Sequence, residues 1–186
     1  MAVACAGVPV AAEVARLLFS PLGIVPVVNL KGPNGEIFAA LAPGGAALVN
    51  WRRLERVGEE AARAIAVKGQ LEVTRLERIY GELARLPLAR RSVLLIADAM
   101  ETGMAMRVAL RTVRAGHPAR VIAATPVATA DACREVRAEG CECVCLVTAE
   151  AFHTTGEWYG DIREPMDSES LGHLQHQARH GRLTVA

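Results

Sequence analysis

At 186 residues the chain has the length of one domain with a sizeable core; a single domain over 1–186 is expected, with its core over about 1–148 and a tail or hood over 149–186. Hydrophobic residues make up 52% but aromatics only 4%, so the interior is built from Ala, Val and Leu, which suits an α/β protein better than a β-sandwich. A net charge of +1 speaks against a nucleic-acid surface, and no apolar run reaches the roughly 18 residues of a membrane span, so neither partner is expected.

The apolar start lacks a basic leader and is interrupted by Glu13, so no signal peptide is expected and the expected compartment is the cytoplasm. A short strand over 3–6 leads through Gly7-Val8-Pro9 into a helix over 10–20, with Val10, Val14, Leu17 and Leu18 on one stripe and Pro21 and Gly23 ending it. A second, β-branched strand runs over 24–30. Turn residues fill 31–35, and segments 36–41 and 46–50 form a hairpin across Pro43-Gly44-Gly45. From Trp51 to about Leu86 the Arg/Glu alternation and the spacing of Leu54, Val57, Ala61 and Ile65 predict one or two solvent-facing helices, with Gly69 as the candidate break.

The second half alternates more regularly. A strand over 93–96, a helix over 103–115, a strand over 120–125 ending at Pro126, a helix over 129–139 and a strand over 141–147 call for a parallel twisted sheet with helices on both faces. Gly116 and Gly140 sit where C-terminal caps belong. Cys141, Cys143 and Cys145 share one face of the last strand and read as small buried hydrophobes, with a metal or redox role as the alternative. No metal site is expected; His173, His176 and His180 have helical spacing but suit a solvated helix. After Thr148 a polar segment reads as a tail folded over the sheet edge, with a short helix from about Ser168.

The most informative stretch is 93–106. An apolar run ends at Asp98, a loop closes on Thr102-Gly103, and an amphipathic helix begins at once. Free amides and the helix dipole at such a place form an anion site, at the sheet edge where α/β proteins bind ligands. The stretch resembles the phosphoribosyl diphosphate (PRPP) motif of the type I phosphoribosyltransferases: an apolar strand, two adjacent acids, a short gap, then Thr-Gly-x-Thr/Ser. Ala97 replaces the first acid and Ala105 the last hydroxyl, while Asp98, Thr102 and Gly103 are kept. Segments 7–15, 125–128, 145–152 and 156–161 are similar to a bacterial subgroup of that superfamily. The arginine of the family's diphosphate loop, before Val8-Pro9, is missing, with Ala4-Cys5-Ala6-Gly7 in its place, and the subgroup's Arg-Lys after the second strand stands here as Asn29-Leu30, followed by Lys31.

The resemblance implies a type I phosphoribosyltransferase-like fold and PRPP-dependent transfer of phosphoribose to a nitrogenous base. Asp98, Ala99, Met100, Glu101, Thr102, Gly103, Met104 and Ala105 would form the PRPP loop, with Asp98 on the ribose and Glu101 as general base; Lys31 and Gly7 would serve the diphosphate. Phe152, Trp158, Tyr159 and Asp161 are candidates for holding a nucleobase, and Mg²⁺ would accompany PRPP in an active enzyme. A homodimer is expected by the same analogy. Each edit removes charge or hydrogen-bonding capacity, so reduced or lost transfer is one expectation. A non-catalytic module that binds a nucleoside 5-monophosphate, as a sensor or partner subunit, is the alternative.

Overall fold

The computed structural model describes residues 1–83, 86–150, 152, 154–160, 163 and 165–180, with backbone alone for 178–180. Strands β1 (Ala2–Val3), β2 (Ile24–Val25), β6 (Ser92–Ile96), β7 (Ala99–Met100), β8 (Arg120–Thr129) and β9 (Glu142–Ala149) form one sheet in which every pairing is parallel. Its order is β2-β1-β6-β8, with β7 continuing beside β8 on the β6 side and β9 on the other. Side-chain alternation explains the two covered faces. Val93, Leu95 and Ala97 pack with helices α4 (Met104–Arg114) and α5 (Ala130–Ala138), whereas Leu94 and Ile96 pack with α1 (Val8–Leu17) and α6 (Asp167–His180). The parallel sheet with helices on both faces is the architecture that the strand–helix alternation predicts.

A second sheet was only half expected. Pro26 ends β2, and the chain re-enters as β3 (Val28–Lys31), so the predicted strand 24–30 is two strands. Proline donates no backbone hydrogen bond, so a continuous ladder through it is disfavoured. β3 pairs antiparallel with β4 (Ile37–Leu41), which pairs with β5 (Ala47–Val49) across a 3-10 turn at Pro43–Gly45. This small sheet packs Leu30, Phe38 and Ala39 against Val57 and Ala62 of helices α2 (Trp51–Val57) and α3 (Glu59–Tyr80).

Several boundaries move for local reasons. β1 stops at Val3 because Ala4 takes a left-handed φ of 57°, and α1 therefore starts at Val8, with Gly7 at its N-cap. The long helix breaks at Gly58 (φ 84°), not at Gly69. Gly69 lies buried inside α3, where a Cβ would sit 2.3 Å from Leu30 Cδ2, so it is the point of close approach between helix and small sheet. Nor does α3 simply face solvent: Val73, Leu76 and Tyr80 are buried. β8 passes through Pro126, which falls beside the gap between β6 and β7, where β8 has no ladder bond to make on that side. The tail helix α6 lies on α1 rather than over the sheet edge, with Leu174 fully buried and Gln177 Nε2 donating to the Ser20 carbonyl at 3.3 Å.

All five cysteines are free; Cys143 is buried beside Cys133, with Cys141 and Cys145 packed against the same cluster. No helix among the described residues is long and apolar enough to cross a membrane.

Candidate active site

The loop after β6 is held at several points. Ala97 is buried, and its amide donates to the Ala124 carbonyl at 3.1 Å. The Asp98 carbonyl accepts the Tyr159 hydroxyl at 2.5 Å. β7 then ties Ala99 and Met100 to Val127 and Ala128. The Glu101 carbonyl accepts the Thr129 hydroxyl at 2.9 Å, while the same hydroxyl oxygen accepts the Ala132 amide at 3.0 Å and caps α5. The loop is thus a fixed part of the sheet edge, and the Glu101 side chain is left exposed to solvent.

At Gly103 the backbone turns left-handed (φ 69°, ψ −1°) and becomes the N-cap of α4. The first intrahelical bond runs from the Arg107 amide to the Gly103 carbonyl at 2.9 Å, so the helix offers no carbonyl to the amides of Met104, Ala105 and Met106. Thr102 Oγ accepts from the Met104 amide at 3.3 Å, which leaves the hydroxyl's own proton to donate outward. Open amides, a hydroxyl donor and the positive end of a helix dipole make a nest for an anion.

This nest opens on a cleft of about 1100 Å³. Ala4, Cys5 and Ala6 line one wall and Asn29 and Lys31 of β3 another, with Phe152 at the mouth of the tail. The sequence-predicted residues Asp98 through Ala105, Lys31 and Phe152 are therefore brought together. A neighbouring hollow of about 750 Å³ shares Glu101, Thr102, Met104 and Phe152 and extends to Thr129 and Thr148.

Gly7, Trp158 and Tyr159 do not line the cleft. A Cβ at Gly7 would lie 2.6 Å from the Val3 carbonyl oxygen and 2.8 Å from that of Ile96, so this glycine lets α1 start against β1 and β6. Trp158 closes a 3-10 turn (Thr155–Trp158) and is 39% exposed. Tyr159 spends its hydroxyl on Asp98; burial, and then the negative charge of Asp98, push that hydroxyl's pKa up to about 12. It anchors the tail onto the loop, as large rings with a polar tip commonly do. Asp161 lies outside the described residues.

No family model matches the chain. Over 178 residues it is 30% identical to "Putative phosphoribosyl transferase Rv0571c" of Mycobacterium tuberculosis (strain ATCC 25618 / H37Rv), a match covering 93% of this chain and 40% of that one. "Putative phosphoribosyl transferase MT0597" of strain CDC 1551 / Oshkosh matches to the same extent. The chain thus spans about 40% of the length of these curated relatives. The crystal structure of TT1426 from Thermus thermophilus superposes with a TM-score of 0.69 at 30% identity, over 92% of this chain and 84% of that one. This chain belongs to the phosphoribosyltransferase-like proteins.

As a phosphoribosyltransferase-like protein it carries cleft residues that sequence reasoning missed. Glu72 and Arg75 of α3 line the far wall with Arg163 and Asp167 of the tail. Arg75 makes a two-pronged pair with Glu72, at 2.8 Å and 2.7 Å, and a further ion pair with Asp167. Arg75 holds the Asp167 carboxyl below its ordinary range against a burial effect that opposes it, and the Tyr80 hydroxyl adds to the lowering. In sequence, Glu72 and Arg75 have the spacing of any surface helix pair. Only the burial of Leu76 and Tyr80 reveals that this face of α3 turns inward.

Proposed function

We propose that the cleft takes PRPP and transfers its phosphoribosyl group to the nitrogen of a base, releasing diphosphate. The observation that carries this reading is the left-handed Gly103 at the N-terminus of α4, opening its amides on the cleft beside Asp98. The 5-phosphate would sit in the nest, taking the amides that follow Gly103 and the Thr102 hydroxyl proton. Asp98 would accept from the ribose hydroxyls, and Lys31 would face the diphosphate. Leaving of the diphosphate builds positive charge on the ribose ring, which the nearby carboxylates stabilise. Glu101, exposed and on a loop tied to β8, would take the proton of the attacking nitrogen. Phe152, where the two hollows meet, is the ring best placed for a base.

Among the described residues no three His, Cys, Asp or Glu side chains converge on a metal position. Mg²⁺ needs no such cage, because it keeps most of its waters and is held by one or two carboxylates plus substrate phosphates. Asp98 fits that lesser role, and a bound ion would neutralise charge on the leaving diphosphate. The buried methyl of Ala97 withholds a second carboxylate, so the hold on metal and sugar is weakened and transfer is slow. The same observation favours a second reading, a binding module for nucleoside 5-monophosphates without turnover.

Diphosphate release from PRPP in the presence of candidate bases tests the enzyme reading. The Asp98→Asn, Glu101→Gln double variant should lose it by about 100-fold or more, the range of a lost general acid or base. Undiminished release in the double variant would remove the catalytic assignment. If the protein only binds, 5-phosphate affinity survives Glu101→Gln and no release is seen with any base.

A further inference from the structure

The family's diphosphate loop carries an arginine that this chain lacks, because Ala4, Cys5 and Ala6 occupy the segment. The same cleft is nevertheless lined by a guanidinium, that of Arg75 on α3. Cys5 Sγ donates to the Tyr80 hydroxyl at 3.6 Å, and Tyr80 donates to Asp167 Oδ1 at 2.8 Å. The other oxygen of Asp167 holds Arg75 Nη1. Two hydrogen bonds and one ion pair therefore link the loop that lost its arginine to the arginine on α3. Tyr80 is fully buried, so the chain of contacts is anchored in the core rather than formed between mobile surface groups.

Arg75 is already aimed. Nε and Nη2 grip the two oxygens of Glu72, one helical turn earlier, and this fixes the plane of the guanidinium. Its remaining edge faces Asp167, a carboxylate that reaches it from 92 residues further along the chain. A planar guanidinium fork receives carboxylate and phosphate oxygens in the same geometry. Among the described residues, Lys31, Arg75 and Arg163 are the basic ones lining the cleft, against the acids Glu72, Asp98, Glu101 and Asp167. A polyanion entering such a cleft is best accommodated where one acid can be displaced from a cation.

We infer that Arg75 is a second diphosphate-binding cation of this cleft, beside Lys31, and that Asp167 is the internal carboxylate it holds until the anion displaces it. This rests on the PRPP reading of the nest. It adds a consequence that the reading does not contain: ligand binding at Arg75 releases Asp167 from its ion pair and leaves it held by the Tyr80 hydroxyl.

The test is calorimetric titration of the whole chain with inorganic diphosphate, PRPP and ribose 5-phosphate. Wild type is compared with Arg75→Ala, Arg75→Lys and Asp167→Asn, with thermal melting to confirm that each variant is folded. Asn at 167 still accepts from Tyr80, so that substitution removes the competing charge and keeps the buried contact. Arg75→Ala should weaken inorganic diphosphate and PRPP by about ten-fold or more, the usual loss for a charge-assisted contact, with Arg75→Lys in between. Asp167→Asn should tighten both by about two- to five-fold, the range of an exposed ion pair removed as competitor. Ribose 5-phosphate, which reads only the nest, should be unchanged throughout. Equal diphosphate and PRPP affinity in wild type and Arg75→Ala, or weaker binding in Asp167→Asn, would overturn the inference. If ribose 5-phosphate binds while diphosphate ignores Arg75, the inference fails and the PRPP reading stands; if no ligand binds wild type, both fall.

Discussion

Gly103 takes φ 69°, and a Cβ built there would lie 3.1 Å from the Ala132 carbonyl oxygen and 3.3 Å from Val136 Cγ2. Both backbone strain and α5 therefore oppose a side chain at this position. Gly103→Ala should cost about 1–2 kcal/mol of stability, from the left-handed conformation alone. It should also weaken ribose 5-phosphate binding, because the N-terminus of α4 would have to shift. Urea unfolding beside calorimetry checks both; unchanged stability with intact binding would show that the nest does not depend on this glycine. Asp98, Thr102 and Gly103 could be placed side by side from the sequence because the nest is local: strand, turn and helix follow one another within a dozen residues. Arg75, Asp167 and Tyr159 could not, because their roles come from contacts made across 61 to 92 residues of chain. Glu72 and Arg75 carry no local mark that separates them from an ordinary surface pair such as Glu59 and Arg63.

Among the elements, helices and strands with a clean period and a terminating glycine were readable, as at Gly140 and in the hairpin across Pro43-Gly44-Gly45. Proline misled in both directions. It broke the predicted strand at Pro26, where β3 goes to another sheet, yet it is carried inside β8 at Pro126, where the neighbouring strand is interrupted. The outcome depends on which neighbour needs the missing donor, and this is not written locally.

Helices are also tied together by ion pairs, and these make stability depend on acid. Burial pushes the Glu139 carboxyl up, but Arg107 and Arg111 of α4 outweigh it and hold it below its ordinary value. Arg75 likewise holds Glu72 and Asp167 down, and Arg163, helped by the Met166 amide, holds Glu169 at about 2. A carboxyl whose folded pKa is depressed contributes stability above its unfolded pKa, and the contribution is lost as pH falls through the folded one. The contribution of these carboxyls should therefore be complete above about pH 5 and be lost between about pH 4.5 and 2. Denaturant midpoints across that range check it; a midpoint that rises on acidification would contradict the assignment of these pairs.

At the scale of the whole molecule, strand–helix alternation was enough to predict a parallel sheet covered on both faces. The three-stranded sheet of β3, β4 and β5 and the packing of α6 on α1 follow from where Pro26, Gly69 and Leu174 meet the rest of the chain. Together these elements place the nest, Lys31 and Arg75 around one cleft. The most direct measurement is titration of the wild-type protein with PRPP in the presence and absence of Mg²⁺, beside ribose 5-phosphate. Mg²⁺-dependent PRPP binding, tighter than that of ribose 5-phosphate, is the predicted result. Binding of neither compound would show that the fold has been kept without its ligand, and would contradict the function proposed for the cleft.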